Sequence, residues 1–197
     1  MDLEIKRQAR KVKHNFEYIF QKSRIPAPYK IKYKALTDFF PYGAAIIETG
    51  TYLGETTRVL AKKYQKVITI EPYTPFYTYN SSVFSENPSI TILHDTSVRA
   101  LPPALENLTG IVGFWLDGHY SGPGTYGELA TSSPVIDELK AIKAWAAIPG
   151  NIAFVAIDDA RLFDGNDGYP SIEQMTEIAF EMGLDMTIDY DILFLKP

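Results

Sequence analysis

Cysteine is absent from the 197 residues. Its absence excludes a disulfide framework, thiolate metal ligands and a cysteine nucleophile, and it fits a reducing, cytoplasmic setting. Long apolar runs are missing too: none approaches the ~20 residues a bilayer-spanning helix needs, so no membrane span is expected. The N-terminus is polar and basic without the apolar stretch of a secretory signal. No internal repeat or low-complexity tract occurs. Histidine is limited to three residues, so the candidate imidazole bases are His14, His94 and His119.

The residues that are present describe an ordinary globular chain, 46% hydrophobic and 22% charged, long enough for about one domain. Charge is divided unevenly. Residues 1–34 carry ten Lys and Arg against three Asp and Glu, whereas the other 163 residues carry nine against twenty-one. An acidic body repels phosphate backbones, which argues against nucleic acid as the substrate. The basic segment either meets an anionic surface or folds back onto that body. From Leu3 to about Gln21, Ile5, Ala9, Val12, Phe16, Ile19 and Phe20 recur at helical spacing, which predicts an amphipathic helix. Pro26 and Pro28 break it, and a second short helix is expected up to Phe39 and Phe40. Residues 1–41 therefore read as a helical leader that packs on the core, caps a site or joins two copies into a homodimer.

From residue 42 the pattern becomes short apolar runs alternating with helical stretches. The predicted strands are Ala44–Glu48, Lys66–Glu71, Ile90–Leu93, Ile111–Leu116 and Asn151–Ile157. Segments of helical length separate them, for example Glu55–Tyr64, Val98–Leu108 and Val135–Ala146, and a further helix is predicted at about Ile172–Met182. Alternation of this kind predicts an α/β fold with a doubly wound, mostly parallel sheet. Met186–Ile188 and Ile192–Leu195 flank the turn-forming Asp189-Tyr190-Asp191, so the last two strands must form an antiparallel hairpin.

Chemistry gathers at the predicted strand ends. Glu48-Thr49-Gly50-Thr51-Tyr52-Leu53-Gly54-Glu55-Thr56 places two glycines between a strand and a helix, where the backbone must turn tightly and approach a ligand. A dinucleotide fingerprint would need glycine where Glu48 and Leu53 stand, which disfavours a nicotinamide oxidoreductase. The second strand ends in Glu71-Pro72, about 20 residues on, where a carboxylate grips a ribose diol. The third ends in His94-Asp95-Thr96-Ser97, the fourth in Asp117-Gly118-His119, and the fifth in Asp158-Asp159-Ala160-Arg161.

These motifs resemble those of class I S-adenosylmethionine-dependent methyltransferases over residues 42–197. The resemblance implies a Rossmann-like seven-stranded sheet and a cofactor site built from Glu48, Gly50, Thr51, Tyr52, Gly54, Thr56, Glu71, Pro72, Asp95, Thr96, Ser97 and Asp117. In it, Glu48 meets the cofactor's amino group and Asp95 the adenine. The acidic ends of the fourth and fifth strands are similar to the metal-dependent small-molecule O-methyltransferases of the catechol and macrocin types. That likeness implies Mg²⁺ held by Asp117, Asp158 and Asp159, and a sugar or other small-molecule hydroxyl as acceptor. His119 or Asp117 would take the acceptor's proton, and Arg161 would hold an anionic group or steady the aspartates. His119–Pro134, rich in Gly, Ser and Pro, reads as a loop over the site and departs from those enzymes. The competing expectations are a metal-independent methyl or aminopropyl transferase and a cofactor-binding interaction module without turnover.

Overall fold

The structure is a computed structural model in which residues 27–118, 133–166 and 168–197 are described. The helix expected over Leu3–Gln21, His119 and most of the loop that follows it lie outside those residues. The chain runs α1 (Tyr29–Phe39), β1 (Ala45–Thr49), α2 (Glu55–Ala61), β2 (Val67–Ile70), α3 (Thr74–Val83), β3 (Ile90–Leu93) and α4 (Ser97–Glu106). It continues through β4 (Ile111–Leu116), α5 (Val135–Ala146), β5 (Ile152–Asp158), a 3-10 turn (Ala160–Leu162), α6 (Ile172–Glu181), β6 (Asp185–Asp189) and β7 (Ile192–Lys196). All the expected strands form, within one or two residues of their predicted ends.

The seven strands make one sheet in the order β3-β2-β1-β4-β5-β7-β6. β1 to β5 are parallel, and β7 runs antiparallel to both β5 and β6. This is the Rossmann-like, mostly parallel sheet closed by an antiparallel hairpin. Successive residues of a strand face opposite sides, and both sides are covered here. Ile47 and Phe114 point into a core with Leu101, Leu139, Ile142 and Trp145. Their neighbours Ile46 and Trp115 point into a second core with Leu36, Phe40, Leu60, Tyr64 and Phe194. The central strands are therefore apolar along their whole length. The edges differ: β3 is only half-buried and β6 mostly exposed, with Ile188 at 50% exposure.

Two elements depart from the sequence pattern. α3 forms although Thr-Pro-Phe-Tyr-Thr-Tyr-Asn-Ser-Ser-Val is poor in strong helix formers. Proline at the start of the helix and the buried Asn80 on its inner face hold it against the sheet end. The second is α1, which packs on the domain. Its buried positions Lys32 and Leu36 lie four residues apart, and Phe40 continues the same stripe. A Cβ on Gly113 of β4 would come within 2.7 Å of the Phe40 ring, so the glycine makes the seat for the end of this helix.

Candidate active site at the strand ends

In the order 3-2-1-4-5 the connections reverse direction between β1 and β4, and open α/β sheets bind ligands in the crevice outside the strand ends at that point. The loop after β1 enters this crevice. Gly50 has φ +84°, and a Cβ there would stand 2.4 Å from the Asp117 carbonyl oxygen. Gly54, at φ +69°, leaves room for the Asn80 side chain, whose Oδ1 a Cβ would meet at 2.4 Å. Asn80 Nδ2 donates to the Tyr52 carbonyl at 2.6 Å and to that of Phe76 at 2.9 Å. Tyr52, between the glycines, also has positive φ (+48°). Strained backbone of this kind persists where the surroundings over-determine it and clusters at functional sites. Both glycines thus serve close approach, and the groups approached in this structure are Asp117 and Asn80.

Thr51 is buried and shares a 2.6 Å hydrogen bond with Thr69 of β2. Thr56, in the first turn of α2, lies against the Tyr33 phenol of α1. Glu48 is 1% exposed and turned inward: its Oε2 accepts from the Thr57 hydroxyl at 2.5 Å. Burial pushes its pKa up to about 7 despite hydrogen bonds from Thr57 and Thr69, and the charge of Glu71 adds to the rise. It supports the loop from below.

Glu71 ends β2. Its Oε2 accepts the Tyr52 N–H at 2.8 Å and its Oε1 the Tyr73 N–H at 2.9 Å, so it ties the glycine loop to the start of α3. Each oxygen keeps a second acceptor direction for a diol. His94 stacks on Tyr77, with ring centroids 4.2 Å apart and 7° between planes, and bonds Thr74 at 3.3 Å. Asp95 accepts the Thr96 N–H at 2.8 Å and pairs with Arg99 at 3.4 Å, while Ser97 begins α4. A paired carboxylate at the end of the strand that carries a flat aromatic–imidazole stack has the chemistry of a nucleoside site, and these residues fit one.

The β4 and β5 ends carry a second cluster. Among the described residues, Asp158, Asp159 and Asp191 offer carboxylate oxygens that all lie within 4.8 Å of one another. Asp117 does not belong to that set, although burial and then the charges of Asp158 and Asp159 raise its pKa well above the carboxylate range. Asp159 sits at φ +58°. Asp191 arrives from the β6–β7 turn, where Tyr190 and Asp191 have φ +53° and +62°, the two-residue primed turn suited to a hairpin. The pairing of Asp158 with Ile192 brings the turn to the end of β5, and the Asp191 carbonyl accepts the Ala160 N–H at 3.0 Å.

A cation already stands in this cluster. Lys32 Nζ from α1 donates to Asp158 and lies 3.6 Å from Asp159 and 3.7 Å from Asp191, with its side chain 4% exposed. Burial works to lower the lysine's pKa, but the three aspartates outweigh it and hold the ammonium above its usual value. Arg161 completes the pairing, with a 2.7 Å bond to Asp159 and a second bond to Asp191. Three carboxylates suit a hard divalent cation. With the lysine ammonium among them, however, these residues do not fit an added Mg²⁺ ion. Arg161 is engaged in steadying the aspartates.

Sequence reasoning missed Lys32, Tyr33, Asp191 and Asn80. His119 lies outside the described residues.

No protein-family model matches the chain, and no curated protein matches it. Solved structures do. Over 86% of this chain and 96% of the other, it is similar to the N-methyltransferase NodS from Bradyrhizobium japonicum WM9, with TM-score 0.55 and 12% identity. It is similar to SMU.1697c from Streptococcus mutans, solved in complex with SAH, over 87% and 98% of the two chains (TM-score 0.52, 12% identity). It is also similar to the 23S rRNA methyltransferase ErmE over 88% and 69% (TM-score 0.53, 16% identity). At these identities the likeness is one of fold. The chain has the fold of class I S-adenosylmethionine-dependent methyltransferases.

Proposed function

We propose that this protein is an S-adenosylmethionine-dependent methyltransferase that methylates a hydroxyl of a sugar or other small molecule. The observation that carries the reading is Glu71, which ends β2 in the switch-point crevice and is tied through the Tyr52 N–H to the glycine loop. Carboxylate, loop and the flat Tyr77–His94 pair together form a nucleoside-binding edge. The cofactor would lie across the ends of β1, β2 and β3, held by Glu71, Asp95 and the loop from Gly50 to Gly54, and it supplies an activated methyl group.

The residues of this chain do the positioning, and in-line alignment of the two reacting atoms supplies much of the rate. The acceptor would lie over the ends of β4 and β5. Asp117, at the end of β4 beside the β5 aspartates, is the candidate general base for the acceptor's proton. When bound, the cofactor would supply the methyl group to the acceptor oxygen, and Asp117 would take the proton that the hydroxyl gives up. The products are the methyl ether and S-adenosylhomocysteine. Arg161 and Lys32 hold Asp158, Asp159 and Asp191 in place beside it. His119 is the second candidate base, from its position two residues past Asp117. The acidic body favours a small acceptor over RNA, although ErmE acts on 23S rRNA.

Calorimetric titration with S-adenosylhomocysteine, followed by a hydroxyl-acceptor screen with labelled cofactor, tests the proposal. Micromolar binding and label transfer support it. Binding without transfer to any acceptor supports the interaction module instead.

A further inference from the structure

The aspartate cluster lies where the family resemblance expects a divalent ion, yet its centre is filled from a part of the chain that the resemblance does not cover. Lys32 belongs to α1, ahead of the sheet, and reaches Asp158 across 126 residues of sequence. An ammonium has three N–H donors and no acceptor. Here it has three carboxylates around it, one hydrogen-bonded and two within 3.7 Å. We propose that Lys32 is the resident cation of this site: its ammonium takes the place of a divalent metal and makes α1 a working part of the active centre.

Three further observations agree with this. α1 is fixed on both sides of the lysine. Behind it, Phe40 seats over Gly113, and beside it Tyr33 lies against Thr56 in the first turn of α2. The ammonium therefore reaches the aspartates from a rigid element. Second, the carboxylates are oriented by groups of their own: Asp158 Oδ1 also accepts the Asp159 N–H at 2.8 Å, and Asp191 Oδ1 accepts the Arg161 N–H at 2.9 Å. Third, the charge is nearly matched. Lys32 and Arg161 already stand against Asp158, Asp159 and Asp191, so two of those three carboxylate charges are offset by the chain's own cations. Because its ammonium pairs with three aspartates, Lys32 acts through them as a positioning residue.

The inference deepens the methyltransferase reading, but its test does not depend on turnover. The full-length chain is titrated with Mn²⁺ and free Mn²⁺ is read by electron paramagnetic resonance, for the wild type, Lys32→Ala, Lys32→Arg and Lys32→Ala with Asp158→Asn. The wild type and Lys32→Arg are expected to take up no stoichiometric Mn²⁺. Lys32→Ala is expected to bind one Mn²⁺ per chain at least about tenfold more tightly than the wild type, since the ammonium no longer stands among the carboxylates. Adding Asp158→Asn should remove that site. A melting temperature that rises with Mn²⁺ only in Lys32→Ala would show that the metal replaces the ammonium. A wild-type chain that binds one Mn²⁺ and loses it in Asp158→Asn overturns the proposal, as does a folded Lys32→Ala that binds none. If Lys32→Ala fails to fold, the wild-type and Lys32→Arg titrations decide. Failure to bind S-adenosylhomocysteine, with these Mn²⁺ results intact, would instead overturn the cofactor reading alone.

Discussion

Glu48→Gln gives the sharpest test of how the glycine loop is supported. The glutamate is 1% exposed beneath the loop, bonded to Thr57, with its pKa pushed up to about 7 from an ordinary value of 4.5. A carboxyl raised in the folded state binds a proton that the unfolded chain has already released. Its contribution to stability is therefore complete below about pH 4.5 and is lost as pH rises through 7. At about 1.4 kcal/mol per pH unit over that interval, the wild type loses roughly 3 kcal/mol from this residue. Glutamine keeps an oxygen to accept from Thr57 and cannot ionise. Urea unfolding at pH 4.5, 6, 7 and 8 should therefore give a Glu48→Gln minus wild-type difference that grows with pH by about 3 kcal/mol and levels off above 7. A difference that stays flat across the series, or that favours the wild type more at high pH, would refute the assignment of Glu48 as a neutral acid under the loop.

Other consequences are equally direct. Lys32→Met leaves the buried Asp158 without its cation and should destabilise the chain by about 3–5 kcal/mol at pH 7 in urea unfolding, with much of the loss recovered at pH 4. Gly54→Ala drives a Cβ into Asn80 and the Phe84 ring at a left-handed backbone position. It should cost about 1–3 kcal/mol by thermal unfolding and weaken S-adenosylhomocysteine binding with it. Glu71→Ala removes the acceptor of two loop N–H groups and of the ribose diol, and should weaken S-adenosylhomocysteine binding about tenfold to a hundredfold by calorimetry.

Much of the fold was legible because the central strands are buried on both faces and their apolar runs need no partner to be recognised. The strand-end carboxylates Glu71, Asp95, Asp117 and Asp158 were legible for a related reason, since parallel register brings their ends to one edge. What escaped the sequence depends on packing across the chain. Lys32 sits among basic residues and reads as part of a solvated face. Only the docking of α1 turns it inward. Asp191 reads as a turn former, and it becomes a site residue because β7 inserts between β5 and β6. α3 contradicts its own propensities and forms around Asn80, whose side chain grips the Tyr52 carbonyl. The glycines were read as places where the backbone approaches a ligand, and their described neighbours are Asp117 and Asn80.

The measurement that bears most directly on the central claim is calorimetric titration of the purified chain with S-adenosylhomocysteine, in Mg²⁺ and again in EDTA. The account predicts micromolar binding that is the same in both buffers and is lost on Glu71→Ala. No binding in either buffer would contradict it, and the strand-end carboxylates would then be only caps and ion pairs on a methyltransferase-like fold.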